Sequence, residues 1–229
     1  MINQNPSIEE IVDPNSEDIR RAYKIIENKL PYEERSDISH FTKTLMDAKE
    51  GRLDDDRYHF LISRENSEIS GAITGYYISE LDMGFVSNLA VKSGSGGKGI
   101  GTELRNGLLA RFRDDSKDSK NEELSGILGE IEETNIWLRK ILSNPNVFVF
   151  DINYIQPPLR EGQEGKKNLV LYLQINEKLE KISTEKVTKI LTAIYRNIYD
   201  INNPQENACF QDILNSIKNR KYISRKNIS

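Results

Sequence analysis

Apolar residues recur at two spacings along this chain, and the switches between those spacings outline its elements. Ile19, Tyr23, Ile26 and Leu30 fall three or four apart. They predict a helix with Ser16 or Asn15 as N-cap, Glu17 and Asp18 in its first turn, and an end at Leu30-Pro31. A second helix is predicted over roughly Ile38–Glu50, and Ile8, Ile11 and Val12 offer a short opening strand. Three strand-like runs follow with no helix between them: Tyr58–Arg64, Ile69–Ile78 and Phe85–Val91. Their connections, Glu65–Glu68 and Asp82-Met83-Gly84, are too short for the crossover of about a dozen residues that a parallel pair needs. These runs are therefore expected to be antiparallel neighbours.

Past Val91 the pattern changes to glycine, Gly94-Ser95-Gly96-Gly97-Lys98-Gly99-Ile100-Gly101. It then becomes a helix from Thr102 with Ile100, Leu104, Leu108 and Phe112 four apart and Leu109 beside them. Asp114–Ser125 is charged and poor in apolar residues, and reads as a mobile loop. Gly126–Glu132 reads as a strand with Leu128, Glu130 and Glu132 on one face. Thr134–Ser143 reads as a short helix, Val147–Ile155 as a strand, Arg160–Asn168 as a polar turn and Leu169–Ile175 as the last strong strand. Two amphipathic helices are expected near Thr184–Tyr199 and Gln205–Asn219.

Composition narrows the chemistry. The chain has 229 residues, 37% hydrophobic and 30% charged, with a net charge of −4, so no global basic field recruits nucleic acid. The basic cluster Lys218-Asn219-Arg220-Lys221 with Arg225 and Lys226 reads as a solvated, frayed tail. Cys209 is the one cysteine, which excludes an internal disulfide and a cysteine-based zinc site. His40 and His59 lack ligand-spaced partners, so no metal is expected. No run approaches the ~18 apolar residues of a membrane span, and the N-terminus lacks the order of a secretory signal. A cytoplasmic protein is expected.

A strand that delivers glycine-rich backbone to a helix start makes an anion site, because unpaired N–H groups converge where the helix dipole is positive. Gly94-x-Gly96-x-x-Gly99 matches the dinucleotide pattern of a Rossmann fold, but that loop belongs to the first crossover of a parallel sheet. Here antiparallel strands precede it. Asp114 and Asp115, about 20 positions on, do not end a second strand. No Gly-Lys-Ser/Thr completes a P-loop either.

Leu89-Ala90-Val91 followed by Gly96-Gly97-Lys98-Gly99-Ile100-Gly101 resembles motif A of the GNAT superfamily, the acyl-CoA-dependent N-acetyltransferases. The phrase Asp151–Leu159 looks like a less characterised bacterial branch. The resemblance implies an α+β fold: a mixed, largely antiparallel central sheet flanked by helices over residues 1–176. A C-terminal helical extension, 177–229, lies outside the common fold. The resemblance further implies acetyl-CoA as cosubstrate and an amine of a small molecule or peptide as acceptor. The loop from Gly96 to Thr102 would bind the CoA diphosphate, with Lys98 adding charge. Backbone at Leu89, Ala90 and Val91 would pair with the pantetheine, and Asn135 resembles a cofactor-side asparagine. Gly96 stands where the family usually has Gln or Arg, and Leu142 where many members have the tyrosine that protonates the thiolate.

Removing a proton from an ammonium with a pKa of ~10 needs a carboxylate or a water chain, and the tetrahedral intermediate needs a donor. The resemblance puts that donor at a β-bulge amide near Leu89 or Ala90 and a strand carboxylate near Ser87, which is no base. Glu130 and Glu132, i and i+2 on one strand face, are the candidate bases. Two like charges that close would raise one pKa. Tyr154 is a candidate pocket hydroxyl. Glu34 and Asp37 lie where the family's acceptor loop sits, Trp137 is expected in the core, and Cys209 reads as a small buried hydrophobe. The last two helices either dock on the main domain, the preferred reading, or form a homodimer interface. A non-catalytic CoA or partner binder is the other functional class that this set of residues allows.

Overall fold

The antiparallel meander expected from the short connections forms, with one strand added in front. In the computed structural model, which describes residues 6–160, 163 and 167–228, β1 (Ser7–Glu10) pairs with β2 (Arg57–Glu65). β2 pairs with β3 (Glu68–Ile78), and β3 with β4 (Met83–Val91), all antiparallel. The β2–β3 turn puts Asn66 and Ser67 at φ of 48° and 68°, the positive values a two-residue hairpin turn demands. Two bulges interrupt the ladders. Ser63 faces Gly71 but Arg64 faces Ile69, leaving Ser70 extra, and its hydroxyl donates to the Ser63 carbonyl at 3.1 Å. Thr74 faces Asn88 but Gly75 faces Val86, leaving Ser87 extra on β4. The bulge thus lies at Ser87 rather than near Leu89 or Ala90, which sit in regular register opposite Ile73 and Ala72.

Three helices complete this unit, Met1–Leu124. α1 (Glu17–Glu27) is capped by Ser16, whose hydroxyl accepts from the Asp18 amide, and it buries Ile19, Ala22, Ile25 and Ile26. α2 (Ile38–Lys49) buries Phe41, whose ring meets Phe60 of β2 and Tyr23 of α1. α3 (Ile100–Lys120) takes the opposite face, because His59 and Leu61, flanking Phe60, touch it instead. Glycines let it lie close. A methyl group on Gly84 would sit 2.1 Å from the Phe112 ring, and one on Gly75 2.8 Å from the same ring.

The helix continues through the stretch expected to be a loop. Asp115 binds His59, and buried Ser116 donates to the Glu122 carbonyl at 3.2 Å. Asn121 then ends the helix at a φ of 56°. Contacts through the adjacent Asp115 and Ser116 hold a segment that hydrophobicity alone reads as coil.

His59 is the buried polar centre of this unit. Its Nδ1 lies 2.6 Å from Glu10 of β1 and its Nε2 2.7 Å from Asp115 of α3, while Arg111 reaches Glu10 at 2.8 Å. Burial alone would lower the imidazole pKa, but the hydrogen bonds and charges of the two carboxylates outweigh it and raise it to about 9. The ring is therefore an imidazolium clasp joining three elements.

The second unit, Ser125–Ser229, is built on β8 (Lys167–Gln174). β5 (Gly126–Ile131) pairs along one edge of β8, and β6 (Val147–Val149) and β7 (Tyr154–Gln156) along the other, all antiparallel. The single strand expected over Val147–Ile155 is broken. Val149 faces Tyr172 and Tyr154 faces Leu169, so residues 149–154 span only 172–169 and two residues bulge out. The bulge is held from the chain's last segment: the Asp151 amide donates to the Ser224 carbonyl, and Arg220 binds Asp151 at 2.8 Å. Most of the expected polar turn at 160–168 lies outside the described residues.

α4 (Ile136–Leu142) has Asn135 as its N-cap, accepting from the Trp137 amide at 2.9 Å. Leu138 and Leu142 pack against Val147, Val149, Val170 and Tyr172. Trp137 is only half-buried, with the Lys140 ammonium 4.5 Å from its ring centre, so it is not a core residue. The C-terminal helices are shorter than expected: α5 (Thr184–Ala193), followed by a π turn at Ile194–Ile198, and α6 (Ala208–Ile217). Cys209 on α6 is buried, as expected of a small hydrophobe.

Two strands missed by periodicity, β9 (Lys181–Ser183) and β10 (Tyr222–Ser224), pair with each other. They are three residues long, too short to show alternation. Arg225 donates to the Leu179 and Pro145 carbonyls. The expected frayed tail is therefore tied down. The boundary expected at 176/177 falls inside this second unit.

Candidate functional site

Two places carry the chemistry anticipated from the sequence, one in each unit. In the first, β4 runs through its bulge to Val91 and the glycine loop delivers the chain to α3. Gly94, Gly97 and Gly99 have φ of 83°, 81° and 82°, a region that L side chains rarely adopt. Gly99 is also the N-cap of α3 and offers no side-chain acceptor to the helix. The N–H groups from Gly96 to Gly101 have no backbone acceptor among the described residues. A Cβ added at Gly94, Gly96, Gly97 or Gly99 would meet nothing within 4 Å. The glycines therefore serve the path of the backbone and leave open space above it, where donors and the helix dipole face outward. Such a cradle fits a diphosphate.

Lys98 lies at its rim, exposed and 3.4 Å from Glu65, a surface pair worth little. Thr102 lies in the first turn of α3, its amide on the Gly99 carbonyl at 2.8 Å. Leu89 and Val91 are half-buried and Ala90 is buried. The Ser87 side chain at the bulge has a buried Oγ with no hydrogen-bond partner among the described residues. An orphaned hydroxyl at a break in a ladder is a polar group left available, and no hydropathy pattern announces it.

In the second unit the structure joins Glu130 to Tyr154. The Tyr154 hydroxyl donates to Glu130 Oε2 at 2.6 Å. Tyr199 donates to the same oxygen, and the two hydroxyls are 2.7 Å apart. Burial, then the Glu130 charge, pushes the pKa of both phenols well above its ordinary value, so both stay protonated. Tyr154 is 1% exposed, whereas Glu130 and Tyr199 are half-buried. Tyr154 is thus buried, with its hydroxyl spent on Glu130.

Glu132, expected on the same strand face, lies one residue past the end of β5 and takes a different partner, Lys167 at 2.5 Å. Tyr199 was not singled out from sequence. It follows a π turn, a helix irregularity that often accompanies function, yet Ile194–Ile198 carries no motif that would betray it. Asn135 spends its Oδ1 on the α4 cap. Glu34 falls in a helical turn, Tyr32–Glu34, and Asp37 at the N-cap position of α2. Among the described residues no cluster of His, Cys, Asp and Glu is arranged to hold a metal ion, and no helix is long and apolar enough to cross a membrane.

Comparison with known proteins agrees with this architecture. The family model described as the acetyltransferase (GNAT) family matches residues 19–122, which take in α1 through the glycine loop to the end of α3. No curated protein matches the sequence. Among solved structures, a protein from Bacteroides thetaiotaomicron assigned to the GNAT acetyltransferases superposes with a TM-score of 0.61 at 15% identity, covering 86% of this chain and 99% of that one. The ribosomal-protein-S18-alanine N-acetyltransferase from Escherichia coli gives 0.51 at 14% identity, covering 76% and 96%. Ard1 from Thermoplasma volcanium gives 0.52 at 17%, covering 77% and 100%. At these identities the likeness is one of fold. The chain carries the fold of these acetyltransferases, and its residues 19–122 match the model of the acetyltransferase (GNAT) family.

Proposed function

We propose that this chain is a cytoplasmic, acetyl-CoA-dependent N-acetyltransferase that acylates an amine of a small molecule or peptide. The observation that carries the reading is the glycine loop, with three glycines at positive φ and outward-facing N–H groups at an uncapped helix start. Acetyl-CoA would supply the activated acyl group. The backbone from Gly96 to Gly101, with Thr102 and Lys98, would hold its diphosphate, and the β4 backbone at Leu89–Val91 would align its amide-bearing arm. Glu130 is the proposed proton acceptor for the attacking amine. Tyr154 and Tyr199 fix that carboxylate, and the half-buried Tyr199 keeps a protonated hydroxyl beside it, in place of the tyrosine that Leu142 replaces.

Calorimetric titration with acetyl-CoA, followed by thiol-release assays over an amine panel, tests this. Saturable binding with acceptor-dependent thiol release is expected, and no binding at millimolar acetyl-CoA would refute it. A second reading, a CoA-binding protein without turnover, is favoured by Ser87 where a strand carboxylate is expected and by the Lys167 partner of Glu132. It predicts binding with no acceptor that releases thiol. Sedimentation of the full chain decides between a monomer with docked C-terminal helices and a homodimer.

A further inference from the structure

Apart from the glycine loop, the first unit has a concave basic site. A cleft of 810 Å³ opens between one side of α1 and the strand ends at the β2–β3 turn and the end of β4. Four cations line it, Arg21, Lys24 and Lys29 from α1 and the turn after it, and Lys92 from just beyond β4, against one carboxylate, Glu68. Glu68 is already engaged by Lys92 at 3.4 Å. Arg21, itself exposed, reaches exposed Glu17 and half-buried Asp18 only at 3.9 and 3.7 Å, contacts of little worth. Neither the Lys24 nor the Lys29 side chain has an acceptor or ion-pair partner among the described residues.

A basic residue at a helix C-terminus has an ordinary explanation, favourable interaction with the dipole, and that accounts for Lys24 by itself. It does not account for Lys92, which arrives from the sheet, or for a cleft that gathers all four. Ile25 and Ile69 give the cleft an apolar floor, and the Asn28 amide and Ser93 hydroxyl add neutral donors. Its volume lies within the ~300–1,000 Å³ of small-molecule pockets. Concave walls of one charge sign concentrate counter-ions of the other.

We infer that this cleft is a second anion site, one that takes a phosphorylated small molecule of nucleotide size carrying several negative charges. Phosphate esters place that much charge in a volume the cleft can hold, and the isoleucine floor suits the organic part. Because Lys92 and Ser93 run directly into Gly94, a ligand here would press on the backbone that leads into the loop.

Titration of the full chain with inorganic triphosphate, alone and with CoA at saturation, tests the inference without relying on activity. Expected is saturable triphosphate binding that persists in the presence of CoA. The double variant Lys24→Ala/Lys29→Ala should weaken it about tenfold or more, since each loses a charge-assisted bond, with no change in melting temperature. A Gly99→Ala variant should leave it intact, and adenosine triphosphate should bind more tightly than inorganic triphosphate. Displacement of triphosphate by CoA, loss of binding in Gly99→Ala, or no saturation at millimolar concentration would each overturn it. If CoA fails to bind while triphosphate binds through Lys24 and Lys29, the acetyltransferase reading falls and the cleft stands.

Discussion

His59 makes the protein's stability depend on pH in a direction opposite to that of a histidine buried in its neutral form. The ring is 8% exposed and held between Glu10 and Asp115, and its pKa rises from 6.5 to about 9 despite the opposing cost of burial. A shift of that size, at ~1.36 kcal/mol per unit, corresponds to ~3 kcal/mol of coupling between protonation and folding. Because the folded pKa exceeds the unfolded one, this stabilisation is complete below pH ~6.5 and is lost as pH rises through about 9. Glu10, with its pKa lowered, imposes the opposite limit, losing its contribution as pH falls below its ordinary range.

The chain has two histidines, so the His59 ring signals are readily assigned in an NMR titration by comparison with His59→Gln. The His59 ring protons should titrate near pH 9. Urea denaturation of the first unit should then show stability falling by ~3 kcal/mol between pH 6.5 and 9.5, and His59→Gln should lack that slope. A His59 midpoint near 6.5, or the same slope in His59→Gln, would refute the reasoning.

Three further outcomes follow from the geometry. Gly99→Ala forces a methyl-bearing residue to a φ of 82° and should cost ~1–2 kcal/mol while weakening CoA affinity, as read by denaturation and calorimetry on one sample. Gly84→Ala, whose methyl would lie 2.1 Å from Phe112, should destabilise by ~1–3 kcal/mol, and Phe112→Leu in the same chain should recover part of that loss. Tyr199→Phe removes one donor from Glu130 and should move the acid limb of the pH–rate profile to higher pH, leaving CoA affinity unchanged. A Tyr199→Phe enzyme whose pH profile matches the parent would place Glu130 outside the reaction.

The parts of the fold carried by local chemistry were legible in the sequence. Short turns set the β2–β3–β4 meander, apolar spacing set α1 to α3, and the glycine run set the loop. What escaped depends on contacts distant in the chain. Asp115 looked like coil because its partner, His59, lies 56 positions away. The break after Val149 came from Arg220 and Ser224, 69 and more positions downstream. Within the candidate site, Glu130 and Tyr154 stood out by type and spacing, but Tyr199 and the Ser87 bulge are products of pairing and register, which no single stretch of sequence encodes.

The clasp formed by Asp151, Arg220, Ser224 and Arg225 has a consequence for synthesis on the ribosome. The first unit's strands and helices are all encoded by residue 124 and can begin to pair while later residues are still being added. The second unit cannot close the bulge between β6 and β7 until residues 220–225 have left the exit tunnel, with Glu130, Tyr154 and Tyr199 all made before then. A nascent chain stalled shortly after Asn219 would therefore expose a finished first half and an unlatched second, the interval in which that half is most open to proteolysis or to a chaperone.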